Sequence, residues 1–417
     1  MRSPLTLPRL LSASLLLLLP TLLLADSNWP RWRGPRQDGH SAETGLPETW
    51  DAGSVTWKVS LPGIGQSSPI LWGERIFLTS ALDNGRQRVV FCVDRNDGRI
   101  LWQRIAWTGE PEPTHKMNGW ASSTCVTDGE RVYAFFGRGG GLFCYTVDGD
   151  LVWSNALGQF EGPWGTAACP VLVDDLVIQN CDSEANASLT AFDKRTGEVV
   201  WRTRREDHRG WSTPILNEAN GREELVLNGH TGVRAYNPRT GEELWYCKGF
   251  SGRGSPTVTP TQGVLVAVNG TPGDMYAIRP GGTGTVTKTH MVWHTPRKGG
   301  RDMPSPIAIG KYMAVINMQG ICTCYDSTDG KTLWQSRLGG NYTASPIAYS
   351  GKVFFLAENG ETTVIEPGPE LNIVARNTLD PADDEVFRAS IAPSDGQIFI
   401  RSDRALYCIG KRGNPKG

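Results

Sequence analysis

Short runs of hydrophobic and β-branched residues, separated by turn residues, follow one another along almost the whole chain. Two examples are Gly351-Lys-Val-Phe-Phe-Leu356 and Gly396-Gln-Ile-Phe-Ile400, in which the hydrophobic run follows directly after a glycine and one polar residue. Runs this short, bounded by turn residues and rich in β-branched and aromatic side chains, predict strands rather than helices. We therefore expect an all-β chain.

One pattern recurs: Asp or Asn, three residues, Gly, three residues and Trp. Glycine allows the positive φ angle that a tight turn needs, and the strand that follows carries the tryptophan at a fixed offset. Each tryptophan then has the same place on its sheet, so we expect these side chains to pack between neighbouring sheets; a cluster around a cofactor is the alternative. The seven tryptophans, about 41 to 51 residues apart, are Trp57, Trp102, Trp153, Trp201, Trp245, Trp293 and Trp334.

A pair of small residues, often followed by proline, opens a β-rich hairpin eight times. Small side chains suit a crowded innermost strand around a central channel. With the tryptophan strand on the outside, each unit of about 40 to 50 residues predicts four antiparallel strands, and radial repetition of such units gives a β-propeller. The pairs begin at Ser67, Ser122, Ala168, Ser212, Ser255, Ser305, Ser345 and Ala389.

The order of the strands predicts how the ring closes. The first tryptophan strand, around Trp57, precedes the first inner strand, whereas the last repeat ends at Ala405–Ile409 without an outer strand. We therefore predict an eight-bladed propeller of four-stranded antiparallel blades, in which the N-terminal strand completes the last blade and leaves no free edge. The outer strand near Leu371–Ala375 has lost its tryptophan. The expected segments are a signal peptide (1–25), a lead-in (26–55), the propeller (56–410) and a C-terminal tail (411–417).

The N-terminus has the features of a secretory signal peptide. Arg2 and Arg9 supply a positively charged region before the apolar stretch Leu10–Leu24, and Ala25 marks a cleavage site. An uncleaved anchor is the alternative, but the stretch is short for a membrane span and Pro20 interrupts it. No cysteine follows the cleavage site, as a bacterial lipoprotein would require. We expect a periplasmic or secreted protein without a transmembrane anchor.

The charge balance narrows the class of partner. Charged residues make up 20% of the chain and the formal net charge is -1. This balance argues against a nucleic-acid partner and against an anionic membrane surface. We expect a monomer whose partner is an envelope protein or a small anionic ligand.

The nine cysteines are expected to be mainly buried small residues. Cys92 and Cys324 stand where other repeats have alanine, and free cysteine is a natural buried residue. A disulfide between Cys169 and Cys181, on adjacent strands of one hairpin, is the alternative for that pair. No pair of Cys or His has metal-ligand spacing, so we predict no metal site.

The Asp-x-x-Thr-Gly-x-x-x-Trp motif on this period resembles the tryptophan-docking repeat of pyrroloquinoline-quinone (PQQ) propellers over nearly all of the chain. The opening Trp29–Pro35, followed by Gly45–Trp50, is similar to the start of exported bacterial members of unassigned function. The resemblance implies two alternative functions: PQQ-dependent alcohol oxidation, or a part in outer-membrane β-barrel assembly. PQQ-dependent alcohol dehydrogenases generally have adjacent cysteines over the cofactor and acidic and amide ligands for a metal; the eight-bladed lipoprotein of outer-membrane β-barrel assembly has a lipobox cysteine. This chain has neither cysteine feature.

Loops that enter the innermost strands of a propeller converge on one face of its channel, and here they are rich in arginine and aromatic residues. Arginine offers a bidentate fork and a stacking surface, so this funnel suits an anionic or planar ligand. The alternatives are that these residues are solvated loop tips or that they bridge neighbouring blades. The candidates are His115, Lys116, Asn118, Trp120, Trp164, Arg209, Trp211, Arg253, Arg301, Asp302 and Arg388.

No catalytic residue is predicted, because the chain has neither a G-x-S-x-G nor an H-E-x-x-H motif. We expect a non-catalytic binding or interaction scaffold of the cell envelope, without a cofactor. Two alternatives remain open: a PQQ-dependent quinoprotein oxidoreductase, and a subunit of an outer-membrane protein assembly complex.

Overall fold

The computed structural model describes residues 27–158, 160–249, 252–270, 273–297 and 303–412. The predicted signal peptide, the site candidates Arg301 and Asp302, and residues 413–417 of the predicted tail lie outside these ranges. Within the described ranges, no helix has the length and apolar composition needed to cross a bilayer.

Eight sheets form the blades, each built from four antiparallel strands, with one further parallel strand added to blade four, so the predicted eight-bladed propeller is confirmed. The strands run from the innermost to the outermost position in each blade. Blade one has β2 (Ile70–Trp72), β3 (Arg75–Leu82), β4 (Gln87–Asp94) and β5 (Ile100–Thr108); blade two has β6 (Val126–Thr127), β7 (Arg131–Phe136), β8 (Gly141–Thr146) and β9 (Leu151–Asn155); blade three has β10 (Val171–Val173), β11 (Leu176–Cys181), β12 (Ser188–Asp193) and β13 (Val199–Arg204); blade four has β14 (Ile215–Ala219), β15 (Arg222–Asn228), β16 (Gly232–Tyr236) and β17 (Glu243–Lys248).

The second half of the ring repeats this arrangement. Blade five has β18 (Thr259–Thr261), β19 (Val264–Val268), β20 (Met275–Ile278) and β22 (Met291–Thr295); blade six has β23 (Ile307–Ile309), β24 (Tyr312–Ile316), β25 (Ile321–Asp326) and β26 (Thr332–Arg337); blade seven has β27 (Ile347–Tyr349), β28 (Lys352–Leu356), β29 (Thr362–Glu366) and β30 (Asn372–Asn377); blade eight has β31 (Ala392–Ser394), β32 (Gln397–Arg401), β33 (Ala405–Ile409) and β1 (Val55–Ser60). The remaining elements are β21 (Gly284–Thr285), α1 (Thr287–His290) and 3-10 turns at Ala52–Ser54 and Asp83–Gly85.

The N-terminal strand closes the ring, as predicted. β1 pairs antiparallel with β33, with Val59 opposite Leu406 and Ser60 opposite Ala405. The last blade therefore takes its outermost strand from the other end of the propeller, which ties the two ends together by backbone hydrogen bonds.

Six of the seven repeat tryptophans make a hydrogen bond across a blade boundary. The indole N–H of Trp153 donates to the carbonyl of Lys194, in the turn of the next blade, at 3.1 Å. Its ring lies against Gly197 of that turn, where a Cβ atom would come within 2.6 Å of the indole and φ is 77°. The equivalent bonds join Trp57 to Arg95, Trp102 to Val147, Trp201 to Pro238, Trp293 to Ser327 and Trp334 to Gly368, at 3.0–3.1 Å.

Trp245 is the exception, because blade five has an insertion after β20. The indole of Trp245 is fully buried and donates to the Glu224 carboxylate of its own blade at 2.9 Å. β21, in the insertion, pairs parallel with β17 and places Gly284 opposite Trp245. Blade four consequently has five strands, one more than the repeat predicts.

A ring of hydrogen bonds joins the innermost strands around the channel, through one small residue of each blade. We call these residues the channel ring: Ser68, Thr124, Cys169, Thr213, Thr257, Ser305, Ser345 and Ser390. In seven of the eight links the backbone N–H of one residue donates to the side chain of the next, at 2.8–3.3 Å, with Ser390 to Ser68 closing the circle. Between Thr213 and Thr257 the Thr257 hydroxyl donates to the Thr213 carbonyl instead. The small residues therefore serve as acceptors besides fitting a crowded strand.

All nine cysteines are buried and free, as expected, and Cys169 and Cys181 form no disulfide. Burial raises the pKa of Cys92 and of Cys181 to about 12. Thiols in this protonated state are poor nucleophiles. Cys169 has a specific place in the fold, because its sulfur accepts the Thr124 N–H in the channel ring at 3.3 Å.

Candidate functional site

The channel forms a cavity of about 200 Å³. Seven of the eight channel-ring residues, all except Thr257, form its lower wall. Its upper wall comes from the loops that enter the innermost strands and from two loops between the second and third strands of blades five and six. The upper wall is lined by Gln66, His115, Met117, Asn118, Ser122, Trp164, Ala167, Trp211, Arg253, Ser255, Gly270, Met303, Met318, Thr343 and Arg388. The structure therefore brings six of the sequence candidates together around one cavity: His115, Asn118, Trp164, Trp211, Arg253 and Arg388.

Two tryptophans and a histidine form an aromatic side of this wall. The Trp211 indole N–H donates to the Gly165 carbonyl at 2.9 Å, and the Asn118 amide donates to the Trp164 carbonyl at 2.8 Å. The first bond holds the two tryptophan loops against each other, and the second holds the loop of His115 and Asn118 against the Trp164 loop. The His115 ring lies 5.6 Å from the Trp164 ring. His115 Nδ1 accepts the Met117 N–H, so a neutral His115 carries its proton on Nε2.

A buried ion pair, Asp182 with Arg205, packs against the loop that carries Trp211. The Asp182 carboxylate accepts from Arg205 Nε at 2.6 Å and from Nη2 at 3.1 Å, and Arg205 also donates to the Tyr236 hydroxyl. Burial lowers the pKa of Arg205, but the nearby Asp182 and Tyr236 outweigh it and raise this pKa. The Asp182 side chain packs against Gly210, where a Cβ would lie 2.5 Å from the carboxylate, and so supports the loop that carries Trp211.

Arg253 and Arg388 are the two arginines among the described residues that line the cavity. The Arg253 guanidinium lies 5.7 Å from the centre of the Trp164 ring. The Nε atom of Arg388 is 3.0 Å from the Glu358 carboxylate, which does not itself line the cavity. Both arginines are only partly buried, so a ligand in the cavity has access to each side chain.

The other candidates lie elsewhere. Lys116 is exposed and does not line the cavity. Trp120 packs with Arg88 and donates to the Glu112 carbonyl at 2.8 Å. Arg209 forms an ion pair with Glu184 and lies 4.9 Å from the Trp164 ring centre, where it lines a smaller neighbouring cavity. Arg301 and Asp302 fall outside the described residues.

The cavity is also lined by a segment that the sequence candidates did not include. Trp32, from the lead-in before β1, lines the cavity together with the channel ring. Its indole N–H donates to the Ser390 hydroxyl at 3.3 Å. The sequence analysis did not name the channel ring or Trp32 as site residues. Small residues of an inner strand, and a residue outside the repeats, belong to no motif that indicates binding.

The lining fits an anion but not a divalent cation. None of the described residues around the cavity is Asp or Glu. In the part of the chain that the structure describes, no three His, Cys, Asp or Glu side chains are grouped to hold a metal ion. The planar, negatively charged PQQ is compatible with the tryptophans and arginines, whereas the acidic metal ligands that the resemblance implies beside it have no counterpart among these residues.

Comparisons with known proteins place this fold in a family. A family profile described as outer membrane protein assembly factor BamB matches residues 85–278 and 233–368. Methanol dehydrogenase [cytochrome c] subunit 1 of Methylorubrum extorquens is 24% identical over 168 residues, which cover 36% of this chain and 26% of that protein. The chain thus matches about a quarter of the length of this curated relative.

Two solved structures share the fold. BamB from Moraxella catarrhalis superposes with a TM-score of 0.60 at 13% identity, covering 87% of this chain and 99% of that one. A europium-containing methanol dehydrogenase superposes with a TM-score of 0.68 at 10% identity, covering 92% and 98%. Identities this low establish the fold alone. The family profile, in contrast, spans well over half of the chain and contains most of its repeats. The chain therefore belongs to the PQQ-like repeat β-propeller family that this profile describes as outer membrane protein assembly factor BamB.

Proposed function

We propose that the chain is a non-catalytic binding propeller of the cell envelope and that a planar anion binds in its channel cavity. The lining carries this proposal: Trp164, Trp211 and His115 offer flat faces, Arg253 and Arg388 offer positive charge, and no described lining residue is acidic. Aromatic faces stack on a flat ligand, and guanidinium groups form charge-assisted hydrogen bonds with its acid groups.

Two features support an envelope location. The signal-peptide pattern at residues 1–25 predicts export. The matching family profile is also named for an outer membrane protein assembly factor. We propose a periplasmic or secreted monomer.

A PQQ-dependent oxidoreductase is the second candidate, because two similar proteins are methanol dehydrogenases. Trp164, Trp211, Arg253 and Arg388 would hold the cofactor, whose quinone supplies oxidation chemistry in that class. The described cavity lining lacks the acidic ligands for a metal beside it, so no catalytic step is assigned to this chain.

A direct test uses two planar anions, naphthalene-2,6-dicarboxylate and PQQ, each titrated by calorimetry in the presence of EDTA. We expect 1:1 binding of at least the dicarboxylate without metal. Dye-linked alcohol oxidation with PQQ and calcium should remain at background. Absence of binding by both anions would contradict the proposal, and calcium-dependent turnover would favour the oxidoreductase.

The third candidate, a subunit of an outer-membrane assembly complex, rests on the family description. Purification of the tagged full chain from solubilised envelopes tests it. Stoichiometric recovery with an outer-membrane assembly protein would support this candidate, whereas recovery of the chain alone would count against it.

A further inference from the structure

We infer that Trp32 is the floor of the ligand cavity and sets the length of the ligand that the cavity accepts; this rests on the proposed planar-anion function. Trp32 belongs to residues 29–41, which we call the stopper because they cross one end of the channel. The sequence order along each innermost strand defines which end. Entry-loop residues come first, the channel ring second, and the residues that contact the stopper third.

The stopper is fixed to blades on several sides of the channel. Backbone bonds pair Trp29 with Leu71 of blade one at 3.0 and 2.9 Å, and Ser41 donates to Ala348 of blade seven at 2.9 Å. Contacts spread this widely prevent the segment from sliding along the channel.

Two buried side chains anchor the middle of the stopper. Arg33 Nη2 donates to the Pro306 carbonyl of blade six at 2.8 Å. Gln37 accepts the Leu216 N–H of blade four at 3.0 Å and donates to the Pro214 carbonyl at 3.3 Å. Arg33 is only 2% exposed and Gln37 only 6% exposed. These contacts follow the channel ring by one to three residues in each strand, so the stopper lies below the ring.

Trp32 is the stopper residue that reaches the cavity. It is half-buried, its neighbour Arg33 lies 5.8 Å from its ring centre, and its N–H is bonded to Ser390 of the channel ring. An indole held on one edge and backed by a buried segment is a rigid apolar surface. The cavity therefore has arginines at its upper wall and an aromatic floor.

This arrangement specifies a ligand class. An acid group held by Arg253 and Arg388 in the upper wall lets the rest of the ligand extend toward Trp32, within a lining that also includes the apolar side chains of Met303 and Met318. The fitting ligand is a rigid aromatic carboxylate of limited length. A ligand that exceeds the depth of the cavity would collide with Trp32, and removal of the indole would relieve that collision.

The experiment measures calorimetric affinities of benzoate, biphenyl-4-carboxylate and p-terphenyl-4-carboxylate for the full chain and its variants. We expect affinity to rise from benzoate to biphenyl-4-carboxylate and to fall for the terphenyl acid. In Trp32→Ala the terphenyl acid should gain about tenfold relative to the biphenyl acid, because its last ring can then be buried. Trp32→Leu, which keeps an apolar floor of smaller size, should give a gain in the same direction.

Arg36→Gln is the matched control, since Arg36 is on the same segment with 59% of its side chain exposed. It should leave the length preference unchanged, and melting temperatures establish that each variant is folded. If none of the three acids binds and naphthalene-2,6-dicarboxylate and PQQ also fail to bind the unchanged chain, the proposed function fails; if either of these two anions binds but none of the three acids does, only the inference about Trp32 is wrong. If the three acids bind but the length preference is the same in both Trp32 variants, the function stands and the inference about Trp32 is wrong.

Discussion

Lys58 and Glu385, 327 residues apart in sequence, form an ion pair across the closure of the ring, with Lys58 Nζ 2.6 Å from Glu385 Oε1. The carboxylate also accepts the Tyr407 hydroxyl at 2.7 Å. Its side chain is 3% exposed, whereas that of Lys58 is 41% exposed. The closing strand is therefore held to the last blade by a buried carboxylate as well as by backbone pairing.

This pair predicts acid-sensitive stability. Burial tends to raise the pKa of Glu385, but hydrogen bonds from Lys58, Ser402 and Tyr407 outweigh it and lower that pKa. A lowered folded-state pKa means that the stabilisation is complete above the unfolded value, about 4.3, and is lost as the pH falls through the folded value. Glu385→Gln should therefore cost about 2 kcal/mol of unfolding free energy at pH 7, and less below pH 4.

Urea unfolding of Glu385→Gln at several pH values measures this, with exposed Glu370→Gln as the control. A deficit that is equally large at pH 3 and pH 7 would show that the carboxylate charge is not responsible.

The contact between Trp153 and Gly197 predicts a large effect of one added methyl group. Gly197→Ala must accommodate a Cβ atom 2.6 Å from the indole at a φ of 77°. Gly351→Ala is a matched control, because φ is 78° there and no atom lies within 4 Å of the added Cβ. Both variants bear the strain of positive φ, about 1–2 kcal/mol. Gly197→Ala should lose about 1–3 kcal/mol more from overpacking, measured as unfolding free energy. Equal losses of unfolding free energy in Gly197→Ala and Gly351→Ala would show that Trp153 and Gly197 are not tightly packed.

Because Cys169 accepts a hydrogen bond in the channel ring, we expect a polar and an apolar replacement of this residue to differ in stability. Cys169→Ser keeps an acceptor for the Thr124 N–H, whereas Cys169→Val leaves that buried donor without a partner. An unsatisfied buried donor costs about 1–3 kcal/mol, so the valine variant should melt lower than the serine variant. A valine variant of equal or higher melting temperature would argue that the ring contributes little to stability.

The buried thiols are expected to react slowly while the chain is folded. Burial raises the pKa of Cys125 and of Cys408 to about 12, and all nine cysteines are buried. The native chain should react slowly with a thiol reagent at pH 8, and nine thiols should react after denaturation without reductant. Seven reactive thiols would indicate one disulfide.

Sequence reasoning worked where the structure repeats. Asp193–Trp201 and its counterparts fix a turn and an outer strand by local chemistry, so the blade count and the closure by β1 could be predicted. Sequence reasoning did not predict two features that depart from the repeat. These are the insertion that adds β21 beside Trp245 and the stopper segment with Trp32. Their positions depend on long-range packing that leaves no periodic signal.

The candidate site shows the same division. Entry-loop position identified Trp164, Trp211, Arg253 and Arg388 as neighbours. It also included Arg209, which forms an ion pair with Glu184 and lines a separate small cavity, and Lys116, which is exposed and does not line the channel cavity. The ion pair with Glu184 accounts for the position of Arg209, and such a partner cannot be identified from loop membership.

The most direct test of the planar-anion account is the calorimetric affinity of naphthalene-2,6-dicarboxylate for Arg253→Gln and Arg388→Gln, with exposed Arg195→Gln as the control. Loss of a charge-assisted hydrogen bond, about 1.5–3 kcal/mol, predicts affinities about ten- to a hundredfold weaker in each cavity variant and an unchanged affinity in the control. Equal affinity in all three variants, or no binding by the unchanged chain, would contradict the account.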